Sequence, residues 1–390
     1  MKRIIFHIDL DAFFASCEEV INPKLRGKTF VVSGRNKRSV VSCASYPARK
    51  LGAKAAKPIF MIQKQFPGLQ IVPGHYELYD QMSMQFFDFI KKKYTNHCEE
   101  MSIDECWLDV TDILIHYKND PVFLAKHLQD NVKKTLGLSV SIGISHNKFL
   151  SKMATDLNKP FGITTVLTQQ ELEQKIWPLA IEDMFFVGPS TAKKLRSINI
   201  NTIGDLANYD DIKRLECCLK NEWYEIQSNA KGIGSDFVDA SKNDPKSQSV
   251  SRTLLDPTDD INEIETILKY IAKELETKLK AYNMASSCVG VIYKVGNTSY
   301  IKQESLDKLV FKYEDLYNYA IKLLGANWNG NNMIKLLGIT TSKLQKLTPE
   351  VDVSQKIKPK RMSKLAKIAN EVNKKLGKDL VFIAKDKFIS

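Results

Sequence analysis

The stretch MSIDECWLDV, residues 101–110, places two adjacent carboxylates, Asp104 and Glu105, inside an apolar run of the kind that forms a strand. Neighbouring carboxylates repel each other, and burying either one is unfavourable unless a cation or a donor compensates it. Consecutive side chains of a regular strand also point to opposite faces of the sheet. The two carboxylates can therefore converge only at a bend, and we predict a β-hairpin whose arms are EEMSI and CWLDV.

Asp9 is a third carboxylate that can reach the same point, because the run RIIFHID predicts a buried strand ending near it. Three carboxylates without a histidine are hard oxygen ligands, which suit Mg²⁺ or Mn²⁺ better than zinc. Two such ions about 3.5–4 Å apart can bind the attacking and leaving oxygens of a phosphoryl transfer. The pattern alone leaves two interpretations open, a metal centre or a solvated acidic turn.

Basic residues gather in two separate regions of the chain. Residues 22–75 hold eleven lysines or arginines and no acidic residue, while residues 341–390 hold thirteen basic and five acidic residues. The acidic hairpin lies between these regions in the sequence. In a chain of net charge +12, this distribution favours a protein that binds a polyanion such as nucleic acid. The alternative is a set of ordinary solvated charged faces.

Length and composition indicate a multidomain globular protein. The chain has 390 residues, 43% of them hydrophobic, which predicts about two to four domains. No apolar run approaches the roughly 20 residues that a membrane span needs. The seven cysteines lack CxxC spacing, which favours a reducing cytoplasm over a disulfide framework or zinc finger. Asn22 stands where the first glycine of GxxxxGKT belongs, so a P-loop is excluded.

Periodicity predicts an α/β or α+β arrangement in the first part of the chain, then a mostly helical segment up to residue 234. A polar segment follows as a linker, and strands mixed with two helices predict a small α+β domain beyond it. The predicted strands are RIIFHID, TFVVSG, SVVSCAS, LSVSIGIS, VSRTLL, SSCVGVIYKV and NMIKLLGITTSKL, and the longer predicted helices are AFFASCEEVIN, 76–94, VFLAKHLQDNVKKTLG, 261–282 and 316–324. An apolar stripe at helical spacing marks the tail at Leu365, Ile368, Ala369, Val372 and Leu376.

Four segments in order are IDLDAFFASCEEVINPKLRGKTFVV, SYPARKLGAKA, MSIDECWLDVTD and VSIGISHNKFLSKMATDLNKPFGI. Together they resemble the Y-family DNA polymerases, specifically the bacterial DNA polymerase IV branch, and the likeness runs from residue 1 to about 385. The resemblance implies an α+β multidomain right hand. Its implied parts are a palm (1–10 and 76–165), fingers (11–75), a helical thumb (166–234), a linker (235–246), a little finger (247–345) and a basic tail (346–390).

The resemblance also implies an activity and its partners. The implied reaction is template-directed addition of deoxynucleotides to a primer 3′ end, with low fidelity and bypass of damaged bases. Two Mg²⁺ ions per active site are the implied cofactors, and Mn²⁺ is an alternative. Primer–template DNA, deoxynucleoside triphosphates and a sliding clamp are the implied partners of a cytoplasmic monomer that does not bind membranes.

Site residues are carried over from the matching motifs. Asp9 and Asp104 match the ligands shared by both metal ions, and the main-chain carbonyl of Leu10 matches a further ligand. Glu105 matches a metal-binding catalytic carboxylate beside the primer 3′-hydroxyl. The resemblance therefore assigns a role to each of the three carboxylates noted above.

Five further residues match nucleotide contacts of the family. Tyr46 and Arg49 match a pair that binds the incoming triphosphate, and Lys159 matches a third contact, which suits the affinity of arginine and lysine for phosphate oxygens. Phe14 falls at the steric gate that excludes ribonucleotides, and Phe13 lies near the sugar. Without the motifs, these residues would be interpreted as surface cations and packed aromatic rings.

Two departures from the family pattern stand out. The thumb turn, usually Gly-x-Gly, is FVGPS here, with Phe186 at the first glycine position and Gly188 at the second. We expect the helix-hairpin-helix to form, with its phosphate contact in question. The segment QKLTPEVDVSQKIKPK contains no clear clamp-binding peptide, so clamp binding is expected without an assigned location.

Three rival functions are weighed against an autonomous polymerase. A polymerase subunit that requires accessory proteins is disfavoured by the complete set of nucleotide contacts. A non-catalytic DNA-binding relative is disfavoured by the intact carboxylates Asp9, Asp104 and Glu105. A palm-fold nucleotide cyclase would have no use for basic fingers, a helical thumb and a basic C-terminal domain.

Overall fold

The computed structural model of the protein describes residues 2–34, 36, 39–241 and 244–347. The chain forms two compact units that divide between residues 242 and 243. This division falls inside the segment 235–246, for which the sequence predicts a linker. The predicted helical stripe of the tail, 365–376, lies outside the described residues. No helix in the described ranges is both long and apolar enough to cross a membrane.

The first unit alternates strands and helices up to residue 166. Its elements are β1 Ile5–Leu10, α1 Phe13–Ile21, β2 Phe30–Ser33, β3 Val41–Ala44, α2 Tyr46–Lys50, α3 Ile59–Gln65, β4 Gln70–Pro73, α4 Tyr76–Lys93, β5 Cys98–Glu100, β6 Glu105–Asp109, α5 Pro121–Leu136, β7 Val140–Ser145, α6 Lys148–Leu157 and β8 Ile163–Val166. Local signals set the ends of α5, because the Asp120 side chain caps its N-terminus and Gly137 follows its last turn at φ 73°.

A five-stranded sheet in the order β5-β6-β1-β7-β8 forms the centre of this unit. All six residues of β1, and all six of β7, are buried, because both strands lie in the interior of the sheet and α5 and α6 pack against it. The core includes Phe6, Ile8 and Leu108 from the strands and Phe86 and Leu128 from α4 and α5. The sheet therefore holds the ends of β1 and β6, where the predicted carboxylates lie, on a rigid base.

The basic region between residues 22 and 75 folds around a second, three-stranded sheet, β3-β2-β4. β2 pairs antiparallel with β3 and parallel with β4. Val31, Val41, Ala48 and Ile62 belong to a small core of their own. This separate core is consistent with the predicted fingers region, whose exact boundaries remain a prediction.

Helices follow from residue 169 to residue 230. They are α7 Gln169–Lys175, α8 Pro189–Arg196, α9 Ile203–Ala207, α10 Ile212–Leu219 and α11 Trp223–Ala230. Two of them begin with a capping box, in which Thr168 pairs with Glu171 and Thr202 with Asp205. Their apolar faces form a third core.

After α11 the chain returns to the central sheet. Val238 is buried against Ile5 and Trp107, and the Asp239 backbone N–H donates a hydrogen bond of 2.8 Å to Glu99. The first half of the predicted linker is therefore packed, although its polar composition indicated a solvated segment. A single valine in a polar context gave too weak a signal to predict this contact.

The second unit is a four-stranded sheet with two helices. Its elements are β9 Ser247–Thr258, α12 Ile261–Ala281, β10 Met284–Val295, β11 Thr298–Val310, α13 Tyr313–Asn327 and β12 Ile334–Lys346. The strand order is β11-β10-β12-β9, and every pairing is antiparallel. The core of the unit lies between this sheet and the two helices.

The mixed helix-and-sheet fold predicted from the sequence is confirmed, and so are most of the predicted strands and helices. β11 was not predicted, because its exposed and mostly polar residues at the edge of the sheet lack a clean apolar alternation. α3, β4 and β8 were missed as well. β8 interrupts a segment that we interpreted as helical, and its parallel pairing with β7 is a long-range contact that local periodicity does not reveal.

Candidate active site

The three predicted carboxylates meet where β1 and β6 lie side by side. Asp9 is the register partner of Glu105 in this antiparallel pair, and directly opposed residues project to the same face of a sheet. The Leu10 backbone N–H donates a 2.9 Å hydrogen bond to the Asp104 carbonyl. The end of β1 is thus fastened to both residues of the acidic pair.

The predicted hairpin is present, and it explains how adjacent carboxylates converge. β5 and β6 pair antiparallel, Glu105 is the first residue of β6, and Asp104 lies in the turn before it. The Ser102 hydroxyl donates hydrogen bonds of 2.7 Å to Asp104 and 3.4 Å to Glu105. One turn residue therefore contacts both carboxylates and orients them towards the end of β1.

Two lysines from the α6 region neutralise much of this negative charge. Lys152 hydrogen-bonds to Glu105 and lies 3.8 Å from Asp9. Lys159 contacts Asp9 and Asp156, at 2.7 Å in each case. Lys152 is only 8% exposed, so its pairing with carboxylates is required by its burial.

Burial shifts the acidity of these groups in different directions. It raises the pKa of Asp9 to about 8, and the neighbouring Glu105 carboxyl adds to the shift. It also raises the pKa of Asp104. For Glu105 burial acts in the same sense, but hydrogen bonds with Asp9 and Lys152 outweigh it and lower the pKa to about 2. A nearby cation would therefore favour the ionised forms of Asp9 and Asp104. Glu105, in contrast, is ionised at neutral pH.

The donor set suits a hard divalent cation. Asp9, Asp104 and Glu105 supply carboxylate oxygens and Leu10 a backbone carbonyl, which is the chemistry that Mg²⁺ and Mn²⁺ prefer. Across the described ranges, no three histidine, cysteine, aspartate or glutamate side chains are grouped as the ligands of one ion. Lysine ammonium groups contact the oxygens of Glu105 and Asp9, so the donors fit the predicted metal by type, and their role as metal ligands stays a prediction.

A cavity of about 220 Å³ opens beside the carboxylates. Its lining combines the acidic end of β1, the start of α1 and the basic α2. The lining residues are Asp9, Leu10, Ala12, Phe13, Phe14, Ser42, Cys43, Tyr46, Arg49, Ala55, Asp104 and Lys159. Eight of the nine residues predicted from the sequence line this one space. Glu105, the ninth, does not line it and lies next to it opposite Asp9.

The chain reverses sharply between β1 and α1 to form one wall of the cavity. Ala12, between the strand and the helix, adopts the left-handed conformation with φ 46° and ψ 49°. A residue other than glycine is uncommon there and carries local strain. The reversal allows the end of β1 and the first turn of α1, with Phe13 and Phe14, to line the same cavity.

Asp11 organises the Tyr46 side of the cavity, and sequence reasoning overlooked it. It is buried and accepts hydrogen bonds from the Tyr46 hydroxyl at 3.2 Å, from Ser141 at 2.7 Å and from the Phe161 backbone N–H at 2.8 Å. Burial raises the pKa of Tyr46, and the Asp11 carboxylate adds to this. The sequence did contain a signal for Asp11. In the pattern DLD, a second aspartate follows Asp9 by two residues and lies just beyond the end of β1.

The guanidinium of Arg49 lies over the ring of Tyr46. Its guanidinium carbon lies 4.9 Å from the ring centroid, and its Nε donates to the Ala44 carbonyl at 3.0 Å. Stacking on an aromatic ring while bonding one edge to the backbone orients the guanidinium plane. Both residues come from the SYPARK motif, in which Ser45 caps the short helix α2.

His7 and Lys152 are two further residues that the sequence did not reveal. The His7 Nδ1 lies 2.9 Å from the Thr155 hydroxyl, and its Nε2 lies 3.9 Å from Glu105. That Nε2 is the buried side-chain nitrogen in the described part of the chain that lacks a hydrogen-bond partner. Burial and the Lys152 ammonium lower the pKa of His7 well below its usual range. His7 is thus a neutral neighbour of Glu105.

The departure in the thumb turn has a structural outcome. Phe186, at the position of the first glycine, adopts φ 75°, a region that glycine occupies readily and bulky residues rarely do. Its ring is 60% exposed and contacts Phe185 at a centroid distance of 4.0 Å. The turn therefore keeps a glycine-like backbone and leads into α8, whose first residue is Pro189.

Comparisons with known proteins agree with this geometry. Residues 8–156 match the impB/mucB/samB family, residues 245–356 match the C-terminal domain of that family, and residues 170–200 match its helix-hairpin-helix motif. The chain is 33% identical to the DNA polymerase IV of Clostridium kluyveri, over 98% of this chain and 97% of that protein.

Solved structures give the same result. A Y-family DNA polymerase chimera of Dbh and Dpo4 matches with a TM-score of 0.79 and 25% identity, over 88% of this chain and all of that one. An insertion ternary complex of the Dbh DNA polymerase matches with a TM-score of 0.62, at the same identity and coverage. The chain belongs to the Y family of DNA polymerases, in the branch of the bacterial DNA polymerase IV enzymes.

Proposed function

We propose that this chain extends a DNA primer along a template, including past damaged bases, and that the reaction takes place at the cavity beside Asp9, Asp104 and Glu105. One observation supports the assignment of the reaction to these residues. The acidic end of β1 and the β5–β6 turn border a cavity that Arg49 and Lys159 also line. A polymerase needs this combination of clustered carboxylates next to cations that can bind a triphosphate.

The carboxylates would hold the cofactor. Asp9, Asp104, Glu105 and the Leu10 carbonyl are the proposed ligands of two Mg²⁺ ions, with Mn²⁺ as the alternative. When bound, such ions supply Lewis-acid stabilisation of the charge on the transferring phosphoryl group. The raised pKa values of Asp9 and Asp104 support this assignment, because their carboxylates lie in a setting that disfavours charge without a compensating cation.

Arg49, Lys159 and Tyr46 would bind the triphosphate of the incoming deoxynucleotide. The guanidinium of Arg49 is oriented by the Tyr46 ring, so it loses little freedom on binding. Asp11 accepts a hydrogen bond from the Tyr46 hydroxyl and fixes the direction of its ring. Lys159 contacts Asp9 at 2.7 Å and lines the same cavity as Arg49, which supports its assignment as a further phosphate contact.

Glu105 would orient the primer end. Its pKa of about 2 makes it a carboxylate at neutral pH, and an ionised carboxylate accepts a strong hydrogen bond from a hydroxyl. We assign it the 3′-hydroxyl of the primer. Lys152 holds Glu105 by a hydrogen bond, and the neutral His7 lies beside it at 3.9 Å, so the direction of Glu105 does not depend on the substrate.

The Phe14 ring would exclude ribonucleotides. It lines the cavity next to Ala12 and Phe13, and a bulky apolar ring rejects a 2′-hydroxyl by collision and by offering it no hydrogen-bond partner. Phe13 is buried, packs against Phe14 at a centroid distance of 5.6 Å, and supports the ring from the side. In this proposal Phe14 is the discriminating residue.

Two parts of the proposal concern partners and location. A sliding clamp is a proposed partner, but the segment QKLTPEVDVSQKIKPK lies almost entirely outside the described residues. The seven cysteines are free, which supports a location in the reducing cytoplasm. We propose that the protein acts there as a monomer on primer–template DNA.

Primer extension on undamaged and damaged templates tests the proposed function. The full chain, supplied with Mg²⁺ and four deoxynucleoside triphosphates, should extend the primer on both templates. A chelator should stop the reaction and added Mg²⁺ should restore it. A metal-replete preparation that binds primer–template DNA but adds no nucleotide would contradict the proposal and favour a non-catalytic relative.

A further inference from the structure

A buried carboxylate, Glu18, lies one helical turn behind the proposed sugar gate. Phe14 and Glu18 are four residues apart on α1, a spacing that places two side chains next to each other on one helix face. Glu18 is 2% exposed, although it is not part of the carboxylate cluster described above. A buried carboxylate away from the reacting atoms requires an explanation.

The partners of Glu18 come from the start of α4. The Tyr79 hydroxyl donates a hydrogen bond to Glu18. The His75 ring nitrogen Nδ1 lies 2.9 Å and 3.1 Å from the two carboxylate oxygens. The Tyr79 hydroxyl also accepts a 3.0 Å hydrogen bond from the His75 backbone N–H. Glu18 thus fixes the Tyr79 hydroxyl and the first turn of α4 to α1.

Tyr79 in turn supports the ring of Phe14. The two rings are stacked, with centroids 4.5 Å apart and planes inclined by only 13°. Tyr79 is fully buried, so its ring cannot shift unless its neighbours shift too. Tyr76 closes a second side, with its ring edge-on to Phe14 at 5.9 Å and to Tyr79 at 5.5 Å. The Phe14 ring is thus stacked on the Tyr79 ring, and the hydroxyl of Tyr79 is hydrogen-bonded to Glu18.

We propose that Glu18 is a positioning residue for sugar selection: through the Tyr79 hydroxyl it sets how far the Phe14 ring projects into the cavity. The proposal rests on the proposed role of Phe14 as the gate. A gate that discriminates by collision works only if the ring cannot retreat. A displacement of less than 1 Å relieves most of a steric clash, because repulsion rises steeply at short distance.

A purely structural role predicts something different. If Glu18 only joined α1 to α4, its loss would lower stability and would reduce ribonucleotide and deoxynucleotide incorporation by the same factor. A positioning role predicts a change in the ratio of the two. The ratio of kcat/KM values for matched ribo- and deoxynucleotides is therefore the decisive readout.

The experiment uses the full chain and four variants. Glu18→Leu removes both acceptor oxygens, Glu18→Gln keeps one acceptor oxygen, and Tyr79→Phe keeps the stacked ring but removes the hydroxyl. Glu19→Leu is the matched control, because Glu19 is the next residue on the same helix and is only half-buried, with Lys133 and Arg26 as its charged neighbours. Thermal melting establishes that each variant is folded.

We expect Glu18→Leu and Tyr79→Phe each to raise the ribo-to-deoxynucleotide ratio about tenfold, as the loss of one charge-assisted hydrogen bond would. Glu18→Gln should give a smaller rise, and Glu19→Leu none. Combining Glu18→Leu with Tyr79→Phe should add little to either one, because both remove the same contact. In a Phe14→Val background, Glu18→Leu should leave the ratio unchanged.

The outcomes separate this inference from the proposed function. If Phe14→Val raises the ratio while folded Tyr79→Phe and Glu18→Gln leave it at the unmodified value, Glu18 has no positioning role and the gate assignment stands. If Phe14→Val leaves the ratio unchanged, the gate assignment is wrong and this inference is wrong with it. If Glu18→Leu does not fold, Tyr79→Phe and Glu18→Gln decide the question.

Discussion

Asp9 lies directly opposite Glu105 in the antiparallel pair of β1 and β6, and Asp104 is fastened to the next residue of β1 by a 2.9 Å backbone hydrogen bond. These two contacts bring together carboxylates that are about a hundred residues apart in the chain. Because Asp9 and Glu105 belong to the central sheet and the turn that holds Asp104 is bonded to it, the core sets the geometry of the site.

The proposed sugar gate gives the first prediction. Phe14→Val should keep deoxynucleotide incorporation within a few-fold and raise ribonucleotide incorporation by about 100-fold, since each 1.4 kcal/mol of lost discrimination is a factor of ten. Steady-state kinetics with matched nucleotides measures the ratio. Phe13→Leu is the comparison and should raise the ratio much less, because Phe13 supports the Phe14 ring from the side but is not assigned the gate. A folded, active Phe14 variant with an unchanged ratio would show that the wrong residue was assigned.

Metal binding gives a second prediction, which needs no turnover. Millimolar Mg²⁺ should raise the melting temperature of the unmodified chain, because a ligand that binds only the folded state stabilises it. Asp104→Asn should lose most of this shift. Glu100→Gln should keep it, because Glu100 lies on the same hairpin but pairs with Lys91. Equal Mg²⁺ shifts in all three proteins would argue against a metal site at the carboxylates.

The thumb turn gives a third prediction. Phe186 adopts φ 75°, which costs about 1 kcal/mol for a residue with a Cβ atom. Phe186→Ala removes the ring but keeps that strain, whereas Phe186→Gly removes both. We expect the glycine variant to be more stable than the alanine variant by about 1 kcal/mol in denaturant unfolding. If the alanine variant proves the more stable, the positive φ does not carry the strain assigned to it.

The second unit and the tail give a fourth prediction. Residues 341–390 carry a net charge of +8, and each phosphate that a lysine or arginine neutralises releases a counterion. A chain that ends at residue 242 keeps all three carboxylates but should bind primer–template DNA far more weakly, with a shallower dependence on salt. Titrations at several salt concentrations measure both quantities. Equal affinity and equal slope for the two chains would place the DNA contacts entirely in the first unit.

The sequence was sufficient to predict that Asp9, Asp104 and Glu105 lie close together, whereas their role as metal ligands stays a prediction. Two adjacent carboxylates inside an apolar run can converge only at a bend, and a strand that ends at Asp9 can bring a third carboxylate to the same place. Local pattern alone therefore predicts that these three side chains meet. The family motifs supplied Tyr46, Arg49 and Lys159, which local patterns alone would have left as ordinary surface or core residues.

The sequence was not sufficient to predict the supporting residues. Lys152 looked like any polar residue of an amphipathic helix, yet it is buried, and only the packing of α6 against β1 brings it to Glu105. Glu18 gave no signal either, because its partners lie about sixty residues further on, in α4. Contacts of this kind depend on tertiary structure, which periodicity does not encode.

The proposed roles of Arg49, Lys159 and Phe14 all require that the new bond forms at the carboxylates. The most direct measurement is therefore primer extension by Asp104→Ala and Glu105→Ala. Primer–template binding by the same variants is measured in parallel. Glu100→Ala, on the other arm of the hairpin, serves as the matched control. We predict that both site variants lose extension by at least about 1,000-fold while their DNA affinity stays within a few-fold, and that Glu100→Ala extends normally. Undiminished extension by folded Asp104→Ala and Glu105→Ala would contradict the account.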